Sequence, residues 1–166
     1  MLFELRTYAL TPGRALAYLE AFRDRGLAVV TRHLPLGGYW LVESGRLNHL
    51  HHLWIHADMA ERDAARAALA ADRDWTEGFV PQAFGGIERQ ENRLMRLVSG
   101  SAALDDAVAG RRRTHPAPAR DAPLFRPGLS ALVFADTPAS GAHACWQVIS
   151  GTLHPAHVAL LDAGAD

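Results

Sequence analysis

Two kinds of hydrophobic periodicity alternate in a fixed order over the first hundred residues, and that order constrains the fold more than any other feature. Leu2 to Leu10 alternates with period two, Phe3, Leu5 and Thr7 on one side and Glu4, Arg6 and Tyr8 on the other, which predicts a strand with a polar, patterned second face. Thr11-Pro12 offers an N-cap followed by Pro at the first helical position. Leu16, Leu19 and Phe22, with Leu27 beyond them, then recur at helical spacing. Leu36-Gly37-Gly38 opens a second strand, Tyr39 to Ser44, and Ser44-Gly45-Arg46 turns it into a third, Leu47 to His56, as an antiparallel hairpin. Asp58 followed by Glu61 reads as a capping box ahead of an Ala-rich helix from Met59 to Ala71. Trp75 and Phe79, four apart, add an amphipathic turn, and Gly85-Gly86 leads into a last strand from Ile87 to Val98.

The order β-α-β-β-α-β is the split βαβ arrangement of an α+β, ferredoxin-like fold, a four-stranded antiparallel sheet with both helices on one side. Such a sheet has an uncovered face. If Tyr8, Tyr39 or Trp40, and Trp54 project from it, a lone copy exposes a large aromatic patch, and two copies packed sheet to sheet about a two-fold axis would bury it. Composition changes near residue 99. Residues 1–98 form the ferredoxin-like domain; residues 99–128 are an Ala, Pro and Arg-rich linker; residues 129–166 form an extension with short apolar runs too few to close a core alone, expected to be irregular and either poorly ordered or packed on the first domain.

Several function classes are excluded. The 166 residues carry 17 basic against 18 acidic side chains, a formal charge of −1, so no basic excess exists to release counterions from nucleic-acid phosphates. Every basic residue is Arg, which closes Schiff-base chemistry on Lys. The single cysteine, Cys145, forbids an intrachain disulfide and any multi-cysteine metal site and suits a reducing compartment. No apolar run approaches membrane-spanning length, and Glu4 and Arg6 interrupt the position of a signal-peptide core, so a cytoplasmic protein without membrane insertion is expected. No nucleophile elbow, phosphate-binding loop, dinucleotide fingerprint or His-Glu-x-x-His motif is present. Arg111-Arg112-Arg113, beside Asp105 and Asp106, reads as a solvated charge run.

The segments FELRTYALTPG at 3–13, ESGRLNHLHHLW at 43–54, and Asp58, Arg62 and Trp75 resemble the NIPSNAP family, over about residues 2–98. Glu4-Leu5-Arg6-Thr7-Tyr8 and His51-His52-Leu53-Trp54 are the most specific parts. The resemblance implies a dimeric α+β barrel, in which two ferredoxin-like subunits close their sheets on each other. It supplies no reaction, since the family's biochemical activity is unsettled and its eukaryotic members are linked to mitochondria and membrane traffic. His56 stands where many relatives carry Tyr, and residues beyond 99 match nothing in the family.

Four histidines lie within eight positions: His49, His51, His52 and His56. Alternation separates His49 and His51 from His52 and His56, and the latter pair lie about 13 Å apart along a strand, so a metal would need ligands from elsewhere and none is expected. Parity groups Glu4, Arg6 and Tyr8 with Asn48, His52 and Trp54. Together they would offer an apolar ring bearing one oxygen a Trp54 wall, an oxyanion contact from Arg6 or Asn48, and a proton carrier in His52 or Tyr8. The competing reading makes Glu4 and Arg6 an internal salt-bridge network and Tyr8 and Trp54 core aromatics. A different pocket between sheet and helices would be lined by Tyr39 or Trp40, His51, Trp75 and Phe79. Three functional readings follow: a homodimeric barrel binding a small apolar or aromatic molecule, acting by analogy with other barrels as a cofactor-independent oxygenase or isomerase; a non-catalytic interaction module whose tail recruits a partner; and a haem protein using His51 or His52. Whether the chain is an enzyme stays open here.

Overall fold

A computed structural model describes residues 1–119 and 121–162. Strand β1 (Leu2–Leu10) lies between β3 (His49–His56) and β4 (Ile87–Gly100), all antiparallel, with β2 (Leu36–Leu41) outside β3. Helices α1 (Ala15–Ala21) and α2 (Leu27–Val30) follow β1 and are joined by a π-helical turn, Phe22–Gly26. Helix α3 (Met59–Ala71) follows β3, and a second π-helical turn, Asp74–Phe79, leads into α4 (Val80–Ala83). The β-α-β-β-α-β order is therefore present. Asp58 caps α3, its side chain accepting from the Glu61 N–H, and the Glu61 carboxylate reaches back to the Ala57 N–H. At α1 the expected cap is absent. Gly13 takes φ 82°, so Thr11-Pro12-Gly13 forms a turn that α1 follows rather than its first turn.

Register decides which side chains share a face. Glu4 pairs with Trp54, Arg6 with His52 and Tyr8 with Leu50, and cross-strand partners point the same way. That face lies under the helices, where Tyr8, Leu10, Leu50 and Trp54 pack against Tyr18, Leu19, Phe22, Val30, Leu69 and Phe79. The aromatic residues expected on a bare face are thus mostly inside. Tyr39, paired with His52, joins them; Trp40, paired with His51, falls on the opposite side.

The opposite side is not bare. Past the first domain, α5 (Ala102–Gly110) and strands β5 (Ser130–Ala135), β6 (Ala144–Gly151) and β7 (His157–Asp162) form where the composition predicts irregular structure. Strand β6 pairs with β4, and the sheet continues as β2-β3-β1-β4-β6-β7-β5. Apolar runs too short to make a core alone are long enough to extend a sheet whose edge strand already exists. The sheet coils over itself. Phe134 of β5 lies 5.9 Å from the His51 ring on β3, and Trp146 lies 5.7 Å from Phe3. Phe3, Leu5, Leu53, Ile55 and Met95 are buried there against Leu104, Trp146, Val148 and Val158. The linker returns to the helical side, where the His115 N–H donates to Thr31 Oγ1 and Leu124 packs on the first core. The face that would otherwise call for a second copy is thus filled by this chain's own residues.

Trp146 is 1% exposed and central to that covering. Trp146→Ala should lower unfolding stability by about 3–5 kcal/mol in a denaturant titration. An appendage that merely touches the sheet would show almost no change.

Candidate functional site

A cavity of about 160 Å³ lies between the sheet and the helices. The sheet contributes Arg6 and Tyr8 from β1, Tyr39 from β2, and His52 and Trp54 from β3. Tyr18 and Phe22 come from the first helical segment, Arg66 and Leu69 from α3, and Trp75 and Phe84 from the turns after it. Both π-helical turns reach this cavity, through Phe22 and Trp75, and such turns are frequent at functional sites. Their close approach depends on Gly26, where an added Cβ would meet the Phe79 ring at 2.7 Å.

His52 lines the cavity among these rings. It is 3% exposed, with the Tyr39 ring stacked on it at 4.9 Å and the Tyr8 ring edge-on at 4.6 Å. Trp54 Nε1–H donates to His52 Nδ1 at 2.8 Å. Indole can only donate, so Nδ1 must accept and the proton of the neutral ring sits on Nε2. Nε2 is buried and has no partner among the described residues. Burial, reinforced by the charges of Arg6 and Arg66, holds the imidazole pKa well below the usual value, so the ring is neutral. Tyr18 and Tyr39 share one hydrogen bond between their hydroxyls, 2.9 Å long, and burial pushes both phenols well above their ordinary range. One of their two O–H groups is left to donate elsewhere.

Below the cavity lies Glu4, fully buried. Its carboxylate accepts from Arg6 Nε at 2.9 Å, Arg62 Nε at 2.9 Å, Arg66 Nη2 at 3.2 Å and Asn92 Nδ2 at 3.4 Å. Burial alone would raise its pKa; His56, Arg62, Arg66 and Arg6 outweigh that and hold it far below the carboxylate range, although His56 Nε2, at 3.8 Å, is too distant for a hydrogen bond. Arg66 Nε is buried and has no partner among the described residues.

The two pockets read from the sequence overlap in a single cavity. Arg6, Tyr8, His52 and Trp54 from the first set share it with Tyr39 and Trp75 from the second, while Phe79 stacks behind Trp75 at 4.8 Å. Glu4 belongs to the salt-bridge network that anchors Arg6. Asn48 sits in the loop before β3 with φ 61°, its carbonyl accepting from the Leu10 N–H, and does not line the cavity. Trp40 and His51 lie on the other face, where Thr7 Oγ1 and His51 Nδ1 are 2.9 Å apart. Tyr18, Phe22, Arg66 and Phe84 are additions that the sequence reading does not contain. Arg62 and Arg66, four apart on a helix that crosses a strand carrying one buried acid, were the available signal. Among the described residues no group of three or more His, Cys, Asp or Glu is placed to hold a metal ion, and no helix is long and apolar enough to cross a membrane.

A NIPSNAP family model matches residues 3–102, well over half of the chain. The chain belongs to the NIPSNAP family. The mouse protein NipSnap homolog 3B is 38% identical over 97 residues, and the human protein NipSnap homolog 3A is 37% identical over the same length. Each match covers 58% of this chain and 39% of the relative, so the shared NIPSNAP segment is about two fifths of the length of these proteins. Among solved structures, a protein from Agrobacterium tumefaciens is 36% identical with a TM-score of 0.59, covering 61% of this chain and 98% of that one. An uncharacterised NIPSNAP-like domain protein from Burkholderia xenovorans, 28% identical with a TM-score of 0.57, covers 76% of this chain and 95% of its own. NIPSNAP membership and the α+β fold therefore agree with the strand and helix order.

The histidines His51 and His52 of β3 set a pH window. Burial, with the charges of His49 and Arg93, brings His51 down to about 4, and His52 is lowered in the same direction. The unfolded chain, with His near 6.5, binds protons first as pH falls, so stability should be constant from about pH 7 to 8.5 and decline from about 6.5 toward 4, by up to about 1.4 kcal/mol per pH unit for each group. Below about 4.5 protonation of Glu4 in the unfolded chain adds to the loss. Denaturant titrations across this range check it, and His51→Gln should flatten the upper part of the decline.

Proposed function

We propose that this NIPSNAP chain binds a small aromatic molecule carrying one hydrogen-bond-accepting oxygen, in the cavity between sheet and helices. The observation that carries the reading is the His52 Nε2–H, a buried donor without a partner among the described residues, on a ring that lines a cavity walled by Tyr8, Tyr18, Phe22, Tyr39, Trp54 and Trp75. An unpaired buried donor costs about 1–3 kcal/mol, which a ligand oxygen would return. Ring faces supply stacking surface, and Arg6, Arg66 and His52 supply polar groups to the same lining.

Catalysis of the cofactor-independent oxygenase or isomerase kind is the finer form of this reading. His52 serves it as an oxyanion donor and not as a base, because its accepting nitrogen is taken by Trp54. Haem fits poorly. Iron ligation through Nε2 would require moving the proton to Nδ1, against the Trp54 N–H, and about 160 Å³ does not hold a porphyrin. The interaction-module alternative draws its support from exposed apolar side chains on the extension and its neighbouring strand, Val98, Leu129, Ile149 and Leu153 among them. The homodimer implied by the family resemblance would use a surface other than the face covered by Trp146 and its neighbours. A reducing, cytoplasmic setting is supported by the lone, buried Cys145.

Titration with benzamide, followed by tryptophan fluorescence and by protein NMR shifts, tests the reading. Saturable binding is expected, with shifts confined to residues around the cavity. His52→Leu, similar in bulk but without the donor, should weaken it about tenfold. Absence of saturable binding by benzamide and by benzoate would overturn the proposal.

A further inference from the structure

Resting on the binding reading above, the geometry points to the class of ligand: we infer that the site takes a single-ring aromatic carboxylate, its carboxylate held by Arg6, Arg66 and the His52 Nε2–H. Size limits the apolar part. A cavity of roughly 150 Å³ admits a benzene ring, and about 160 Å³ is available here, so a single ring fits.

The polar part follows from counting donors and acceptors. Arg6 and Arg66 can only donate, and His52 offers only Nε2–H because Nδ1 is occupied. The nearest carboxylate, Glu4, is already saturated by Arg6, Arg62, Arg66 and Asn92. Charge agrees. Three guanidinium groups, on Arg6, Arg62 and Arg66, are in contact with two carboxylates, Glu4 and Asp63, which leaves one positive charge uncompensated in this cluster. Asp63 is exposed, whereas Arg6 and Arg66 are about four-fifths buried, so the excess is felt on the cavity side. A buried Arg66 Nε–H without a partner among the described residues adds a second unsatisfied donor. Donors and positive charge select an acceptor with negative charge. A neutral amide of the same shape would turn an N–H toward donors, and an alcohol would supply no charge.

The test compares benzoate with its near-isostere benzamide on the intact chain by calorimetry and NMR titration. Benzoate should bind at least about tenfold more tightly, and raising sodium chloride from low to about 0.5 M should weaken benzoate severalfold while leaving benzamide unchanged. Arg66→Gln and, independently of it, Arg6→Gln should each weaken benzoate more than benzamide and so reduce the benzoate preference. The salt comparison on the unmodified protein decides the matter even if either variant fails to fold. Equal affinities with equal salt dependence would overturn the carboxylate assignment while the cavity remained a ring-binding site. Failure of both probes to bind would overturn the assignment and the binding reading together.

Discussion

A carboxylate with no exposure to water, on an interior strand of the sheet, has to be neutralised where it stands, and much of this molecule is arranged around that requirement. Glu4 takes guanidinium groups from its own strand, through Arg6, and from helix α3, through Arg62 and Arg66. Leaving such a charge unpaired would cost several kcal/mol, so the network pins the α3 register to the sheet more specifically than its Ala-rich surface could. Most of α3 is Ala with Leu69 as its only fully buried apolar residue, which makes the ion cluster the directional part of the contact. The same cluster fixes Arg6 and Arg66 at the cavity rim. Structural need and the charged lining of the cavity therefore share the same residues.

Strand parity distributes everything else. Because β1 sits between β3 and β4, its residues from Phe3 to Ala9 are matched on both sides, and the alternation Phe3, Leu5 against Glu4, Arg6, Tyr8 separates an apolar layer from a polar and aromatic one. The apolar layer cannot face water. In a bare four-stranded subunit it would require a second copy, but here β6 adds to the β4 edge and the coiled sheet brings Trp146 onto Phe3. Burying side chains of this size contributes about 2–3 kcal/mol each, which explains why short strands that could not fold alone are stable in this position.

The order of elements was legible in the sequence because periods of two and of 3.6 are local properties, and the capping box at Asp58 marked the start of α3 to the residue. The shared face of Arg6, Tyr8, His52 and Trp54 was legible for the same reason once the strands were taken as a regular ladder. Three things were not. The strands of the extension depend on an edge to add to, a tertiary condition that no local pattern carries. The helix start at Ala15 was hidden by Gly13, whose positive φ makes a turn from residues that read equally well as a cap. Tyr18, Phe22 and Arg66 look like ordinary positions on amphipathic helices, and only the crossing of those helices over β1 and β3 turns them toward His52.

The covering extension lies on one face of the sheet and the cavity on the other. Every residue lining the cavity comes from residues 6–84 of a single chain, on the helical side of the sheet. The layer that a second copy or the extension can cover is the other side, reached from His51 and Trp40. Between them lies one strand thickness, with Arg6 next to Thr7 and His51 next to His52. Coverage of the apolar layer can therefore change without removing any group from the cavity lining, while β1 and β3 still connect the two faces through their shared backbone. In this chain the closure of the opposite face is built into the same polypeptide.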